Sequence, residues 1–296
     1  MSNPGVFTAA LAADLKPSDA ELDLFGMTHQ GLVRRENQDH FLIGTLHREL
    51  AVHGTSLPAM NQQLLRGDRF ATFAVVADGV GGIVGGAAAS KRAVETIANY
   101  VQCTLRCFAA ADPHHEPPFI EALRGAAVNA DSAVRALRTD DQDQRGGGGG
   151  PATTLTMAIG VWPRAYVLQV GDSRCYLYGA GALRRLTRDQ TAAQDLVDSG
   201  ELTPVEAARS PLQHMLTSVI GGRVAVPVVT AVDLRRESIF LLCSDGLTRH
   251  VTDAELSDGL AKLRTAEQTG RALMQLALDR GGHDNITIII GCARRA

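Results

Sequence analysis

This chain of 296 residues lacks a basic excess and long apolar runs. Its 29 lysines and arginines are outnumbered by 32 aspartates and glutamates, and the formal net charge is -3. Proteins that bind nucleic acid or anionic membranes generally carry a basic surface, so the balance disfavours both kinds of partner. No N-terminal basic segment leads into an apolar stretch, and no apolar run approaches the length of a membrane span. We therefore expect a cytoplasmic protein with neither a nucleic-acid nor a membrane partner.

Paired cysteine spacings are also missing. None of the five cysteines has a C-x-x-C partner, and Cys175, Cys243 and Cys292 lie in apolar runs. This pattern disfavours a zinc site and favours reduced, partly buried thiols.

What the sequence does contain is a mixture of strand-like and helix-like segments. Several of the apolar, β-rich runs are continuous rather than alternating, which is typical of strands covered on both faces. The predicted strands are 70–77, 153–161, 165–170, 174–178, 227–232, 238–243 and 286–291. The predicted helices are 85–104, 118–138, 189–199, 253–263 and 266–280. Because strands and helices do not alternate strictly, the order favours an α+β fold of antiparallel sheets with helices packed outside.

We predict one domain at 21–296, preceded by a loosely attached tail at 1–20. Within the domain, the stretch at about 44–68 has no clean period and is interpreted as a surface insertion. The segment 139–151 contains five consecutive glycines and is predicted to be a loop.

Aspartates stand at the ends of several predicted strands. Asp78 ends the run 70–77, Asp245 follows the run 238–243, and Asp284 comes just before the run 286–291. If the last strand is antiparallel to the other two, these three carboxylates collect at one edge of the sheets. Asp172, in a turn between two strands, and Asp39, just before the apolar residues 41–43, could join the same cleft.

Carboxylates gathered in one cleft cannot all ionise at neutral pH without positive charge between them. An oxygen-only set with room for water suits Mg²⁺ or Mn²⁺, while zinc prefers histidine and cysteine. A single Asp-Gly pair is ordinarily a turn. Five aspartates in this order, each beside an apolar strand, instead indicate a metal site.

The motifs around these aspartates resemble those of the metal-dependent Ser/Thr protein phosphatases of type 2C, in their bacterial form, over roughly 22–293. The matching motifs are G-L-V-R-R-E-N-Q-D at 31–39, V-A-D-G-V-G-G at 76–82, A-T-T-L at 152–155, V-G-D-S-R at 170–174, L-T-R-D-Q at 186–190, C-S-D-G-L-T at 243–248 and G-G-H-D-N-I-T at 281–287. The resemblance implies a four-layer αββα sandwich with two packed antiparallel sheets and helices on both outer faces. That architecture agrees with the order of elements given above.

The resemblance also implies a ligand for each metal. Asp78 would bridge two Mn²⁺ or Mg²⁺ ions, and Gly79 would offer its backbone carbonyl oxygen to one of them. Asp245 and Asp284 would complete the set of ligands around the other ion. Asp172 would share a third, weaker metal with Asp245.

The resemblance implies roles for two further residues, and the sequence differs from the family pattern at Gln38 and Val80. Arg34 would clamp the substrate phosphate through its planar guanidinium group, and Asp39 would act on a metal through a water molecule. Gln38 stands where many members have Glu, so one metal would be held with more water. Val80 replaces a histidine that animal members use to protonate the leaving group, and a metal-bound water is our candidate donor instead.

The function implied is hydrolysis of phosphoserine and phosphothreonine by metal-activated water in a single catalytic domain. The partners implied are phosphorylated proteins, including a cognate Ser/Thr kinase, and a mobile flap at about 191–219 would influence which of them is accepted. Two alternatives remain: a pseudophosphatase that only binds phosphoproteins, and a hydrolase of small phosphoesters. The first would be expected to lack one of the metal carboxylates, and none of Asp78, Asp245 or Asp284 is missing.

Overall fold

Two antiparallel sheets of five strands each form the centre of the fold. The structure is a computed structural model, and it describes residues 15–51, 64–80, 85–104, 116–138 and 150–293. In spatial order, the first sheet contains β1 (Leu22–His29), β12 (Ile286–Ala293), β11 (Ile239–Cys243), β8 (Arg174–Gly179) and β9 (Ala182–Arg185). The second sheet contains β10 (Val228–Asp233), β7 (Arg164–Val170), β6 (Leu155–Val161), β3 (Leu64–Ala77) and β2 (His40–Ala51). A short ladder pairs β4 (Gly79–Val80) with β5 (Ala152–Thr153).

Helices cover both outer faces of the paired sheets. The second sheet is covered by α1 (Gly86–Thr104) and α2 (Glu116–Arg135). The first sheet is covered by α5 (Asp245–Thr248), α6 (Asp253–Ala261) and α7 (Ala266–Asp279). Between β9 and β10 lie α3 (Ala192–Asp198), α4 (Pro204–Ala207) and a 3₁₀ turn, Pro211–His214. The predicted α+β sandwich with helices outside is therefore confirmed.

Side chains that alternate along the strands build three apolar layers. In β3, Val75 packs towards the helices of its own sheet, while Val76 packs between the sheets. In β12, Ile288 and Ile290 face the helices, while Ile289 faces the other sheet. A strand with both faces buried needs apolar residues at successive positions, which explains the continuous runs in the sequence.

Two helices over the first sheet, α6 and α7, begin where threonine side chains cap them. Thr252 precedes α6, and its hydroxyl accepts from the backbone N–H of Glu255 at 3.4 Å while the Glu255 carboxylate accepts from the Thr252 backbone at 3.0 Å. Thr265 precedes α7 and accepts from the backbone N–H of Gln268 at 3.1 Å. These caps satisfy N–H groups that have no partner inside a helix.

Strand β2 was not among the predicted strands, and β3 begins earlier than the predicted strand 70–77. Residues 44–51 and 64–68 of the expected insertion belong to these strands, which pair out to Ala51 opposite Leu64. Register shifts near Leu46, His47 and Glu49 interrupt the pairing, and such irregularities remove the two-residue period by which a strand is recognised. Residues 52–63 and 139–149, in the predicted insertion and glycine-rich loop, lie outside the described residues.

Part of the predicted N-terminal tail contacts the second sheet. The guanidinium group of Arg69, in β3, donates to the Pro17 carbonyl at 2.5 Å and to the Asp19 carboxylate at 2.6 Å. Residues 1–14 lie outside the described part. Among the described helices, none is both long and apolar enough to cross a membrane.

Leu242→Ala should destabilise the protein by about 2–5 kcal/mol, because it leaves a cavity between the sheets. Leu242 is only 1% exposed and packs there beside Val76 and Ile289. Val128→Ala, at a position 59% exposed on α2, is the matched control and should change the free energy of unfolding by less than about 1 kcal/mol. Urea denaturation measures both variants, and equal effects would contradict the inter-sheet placement of Leu242.

Candidate metal centre

An open cleft of about 850 Å³ lies where five strands begin or end. Asp78 follows β3, Asp172 lies between β7 and β8, Asp245 follows β11, and Asp284 precedes β12. The side chains around the cleft come from all these segments: Val33, Arg34, Arg35, Glu36, Gln38, Asp78, Gly79, Val80, Asp172, His214, Leu216, Asp245, Arg249, Asp284 and Asn285. A smaller cavity of about 130 Å³ between the sheets has no acidic residue in its lining, so the open cleft is the candidate site.

Antiparallel pairing of β11 and β12 brings Asp245 and Asp284 together. Cys243 pairs with Ile288, and the next residue, Ser244, donates its backbone N–H to the Thr287 carbonyl at 3.1 Å. The chain can then pass close to the start of β12 because residue 246 is glycine. A Cβ at Gly246 would lie 2.0 Å from the carbonyl oxygen of Asn285, a distance that no side chain tolerates.

Two threonines of the A-T-T-L motif hold the backbone of Asp78. Thr154 accepts from the Asp78 N–H at 3.0 Å through its hydroxyl and donates its own N–H to the Asp78 carbonyl at 2.8 Å. The hydroxyl of Thr153 donates to the same carbonyl at 2.8 Å. Gly79 permits a close crossing here, since a Cβ would lie 2.5 Å from the Gly86 carbonyl oxygen. The Asp78 carboxylate takes no part in these backbone contacts.

Asp39 is buried beneath the cleft and is held by uncharged donors. Its Oδ2 atom accepts from the Ser244 hydroxyl and from the Thr287 hydroxyl, both at 2.7 Å. Its Oδ1 atom is buried without a hydrogen-bond partner, and so is the Oδ1 atom of Asp245. Buried oxygens without donors, in an all-oxygen set, fit a hard divalent cation.

The acidic residues strongly perturb one another. The pKa of Asp39 is raised to about 6, because the effects of burial and of the Asp245 charge exceed the lowering effect of its two hydroxyl donors. Asp78 is only partly exposed to the cleft, and burial followed by the Asp39 charge raises its pKa well above the usual range. Burial and the Asp245 charge also raise the pKa of Asp172. Positive charge in the cleft would therefore stabilise the ionised carboxylates strongly.

Two arginines supply part of this positive charge by forming ion pairs with the carboxylates. Arg34 binds Asp284 with both ends of its guanidinium fork, Nε to Oδ1 and Nη2 to Oδ2, each at 2.7 Å. Arg249 donates to Asp284 Oδ2 at 3.0 Å and pairs with the Asp245 carboxylate. With these pairings, no three acidic, histidine or cysteine side chains of the described residues converge as one ligand set. Metal binding would require Asp245 and Asp284 to turn away from the guanidinium groups.

Asn285 fixes the loop that carries Arg34. Its side-chain oxygen accepts from the Gln38 backbone N–H at 2.9 Å. Its amide nitrogen donates to the carbonyls of Gln30 and Glu36, both at 2.8 Å. The sequence showed Asn285 only as part of the D-N-I-T motif, and its position beside Asp284 is the signal that could have singled it out.

Two more residues at the cleft were missed. Arg249 lies four residues after Asp245, a spacing that places both on one side of a helix and could have revealed the pair. His214 comes from the 3₁₀ turn in the predicted flap, and no spacing in the sequence pointed to it.

Two other side chains near the cleft make contacts of their own. Arg174 binds Asp189 through Nε and Nη2 at 3.0 and 2.7 Å, a structural ion pair. His283 stacks on His250 with ring centroids 5.0 Å apart, next to Asp284 but not bonded to its carboxylate.

Comparison with known proteins identifies the family. The family model described as Protein phosphatase 2C matches residues 61–284. The chain belongs to this family. It is 34% identical over 216 residues to the serine/threonine protein phosphatase PstP of Mycobacterium tuberculosis, an alignment that covers 73% of this chain and 39% of PstP. This phosphatase 2C chain thus spans well under half the length of that relative.

Two further matches extend over most of the matched protein or domain. Serine/threonine phosphatase stp of Listeria monocytogenes is 31% identical over 218 residues, which is 73% of this chain and 82% of stp. The crystal structure of the catalytic domain of PstP in complex with two manganese ions superposes with a TM-score of 0.69 at 26% identity, covering 93% of this chain and 99% of that one. The family membership and the sandwich fold predicted from the motifs are confirmed.

Asp78→Asn should stabilise the chelated protein, and the gain should grow as pH rises from about 4 to about 7. A raised pKa means that the folded protein retains a proton which the unfolded chain releases above about pH 4. The wild type therefore loses stability as pH rises through this window, whereas asparagine does not ionise. Thermal unfolding in chelator across this pH range measures the difference. Asp258→Asn, at an exposed position on α6, is the control without such a gain; equal melting temperatures for Asp78→Asn and wild type at pH 7 would contradict the charge burial.

Proposed function

We propose that this chain hydrolyses phosphoserine and phosphothreonine in proteins, with two Mn²⁺ or Mg²⁺ ions in the acidic cleft. The observation that carries the proposal is that Asp78, Asp172, Asp245 and Asp284 line one open cleft together with Arg34. Family membership and the two manganese ions in the PstP catalytic domain support it.

The residues fit the proposed ions by their chemistry. Asp78 and the Gly79 carbonyl oxygen would hold one ion, and Asp78, Asp245 and Asp284 would hold the other. The partnerless Oδ1 atom of Asp245 offers a ligand atom that no protein donor occupies. Bound ions would supply Lewis-acid stabilisation of the phosphoryl group and an acidified water as nucleophile.

Other side chains would bind and orient the substrate around that centre. The Arg34 side chain is 54% exposed at the cleft, so its guanidinium fork could bind a phosphate group once Asp284 turns from it towards a metal. Asp39, fixed by Ser244 and Thr287, would hold a water molecule at its free Oδ1 atom. Val80 lines the cleft but has no proton to donate, so it cannot assist the leaving group.

The flap is proposed to influence which phosphoprotein is accepted. Its residues His214 and Leu216 line the cleft. The two ends of the flap are joined to each other, because the Ala192 N–H donates to the Met215 carbonyl at 2.8 Å and the Thr217 N–H donates to the Gln190 carbonyl at 2.9 Å. Phosphorylated proteins, with a cognate Ser/Thr kinase among them, are the proposed partners, in a cytoplasmic setting.

A panel of phosphopeptides and small phosphoesters, each with Mn²⁺, Mg²⁺ or chelator, tests this function. We expect turnover of phosphoserine and phosphothreonine peptides that requires metal and is lost in Asp245→Asn. Asp258→Asn should retain wild-type rates. Activity on small phosphoesters alone would favour a different substrate class, metal binding without turnover would indicate a pseudophosphatase, and full activity in chelator would refute the metal mechanism.

Asp172→Ala should lower kcat on the order of tenfold while two metals remain tightly bound, because Asp172 is proposed to hold only a third, weaker ion with Asp245. Asp172 is 7% exposed at the cleft, and its neighbour Arg174 is engaged by Asp189 instead. Calorimetric metal titration together with steady-state rates checks both parts. Unchanged rates at all metal concentrations would show that Asp172 has only a structural role in its turn.

A further inference from the structure

Arg249 lines the acidic cleft together with Arg34. It ends the short helix α5, one turn after Asp245, and its side chain is 31% exposed. Its Nη1 atom donates to Asp284 Oδ2 at 3.0 Å, and its Nη2 atom pairs with Asp245 Oδ2. One guanidinium group thus bridges two carboxylates that the proposed function assigns to the same metal.

These ion pairs differ from ordinary surface pairs. The side chains of Asp245 and Asp284 are only 14% and 13% exposed, so solvent screens the pairs weakly. Asp284 has a second guanidinium partner in Arg34, but Arg249 is the cation that binds the Asp245 carboxylate in the described part of the chain. Removing Arg249 would therefore leave Asp245 with its negative charge unpaired and partly buried.

We propose that Arg249 is an internal counter-cation that competes with divalent metal for Asp245 and Asp284, and that metal binding displaces it from these carboxylates. The inference rests on the proposed metal-dependent function. Its physical basis is that a guanidinium group and a divalent ion on the same oxygens would lie within a few ångströms of each other, where like charges in a poorly solvated site repel strongly. Arg249 thereby lowers the affinity for metal and stabilises the protein without metal.

This role predicts two effects of opposite sign in one variant. Arg249→Gln should bind Mn²⁺ about tenfold more tightly or better, because the competitor is gone. The same variant should melt at a lower temperature than wild type in chelator, because the carboxylates lose their counter-ion. An arginine with a purely structural role would weaken both properties, and an arginine that contacts only the substrate would leave Mn²⁺ affinity unchanged.

Calorimetric titration of Mn²⁺ into chelator-treated protein, with thermal unfolding in chelator, is the experiment. Arg280→Gln is the matched control, since Arg280 also pairs with a carboxylate, that of Glu255, at a similar side-chain exposure of 40%. It should leave Mn²⁺ affinity unchanged. Arg249→Met also removes the charge while it keeps an unbranched side chain, so it should bind Mn²⁺ more tightly as well, and it decides the question if the glutamine variant does not fold.

The outcomes separate this inference from the proposed function. If wild type binds Mn²⁺ and the Arg249 variants bind it equally or less tightly, competition by Arg249 is refuted while the metal centre stands. If neither wild type nor the variants bind Mn²⁺, the metal centre is wrong and the inference fails with it. Tighter binding in the variants, or binding in the variants alone, supports the competition.

Discussion

Negative charge confined to a poorly solvated cleft is the constraint on which the rest of this structure depends. Burial raises the pKa of Asp39, Asp78 and Asp172, and the neighbouring carboxylates add to the effect. Such a site is unfavourable unless cations enter it, and the chain supplies two of its own in Arg34 and Arg249. The property that makes the cleft costly for the protein alone also makes it attractive to divalent ions.

Uncharged donors carry most of the positioning, because further charges would upset this balance. Hydroxyl groups of Ser244 and Thr287 hold Asp39, and Thr154 holds the backbone of Asp78. The side-chain amide of Asn285 fixes the loop of Arg34 with three hydrogen bonds. These contacts give a physical reason for the Ser, Thr and Asn residues that accompany the aspartates in the motifs: they orient acidic groups without neutralising them.

The layers and the position of the cleft could be predicted because they follow from local signals. Strands buried on both faces require continuous apolar runs, and antiparallel pairing places the end of β11 beside the start of β12. Features that depend on irregular pairing or distant contacts could not be predicted. Register shifts concealed the outer part of the β2–β3 hairpin. His214 reaches the cleft from a turn distant in sequence, whereas Arg249 could have been found from its spacing of four residues after Asp245.

The charge balance explains why an arginine could persist beside proposed metal ligands. In the described part of the chain, the negative charges of five aspartates at the cleft are opposed by the positive charges of Arg34 and Arg249. The charges of Glu36 and Arg35 at the rim cancel each other. If every acid ionises, the negative charge that remains is smaller than the charge of two divalent ions, so a loaded cleft would be positive overall. A phosphate dianion would then be attracted. Without Arg249 the same ions would only just neutralise the aspartates, so the residue that weakens metal binding would leave a stronger field for the substrate.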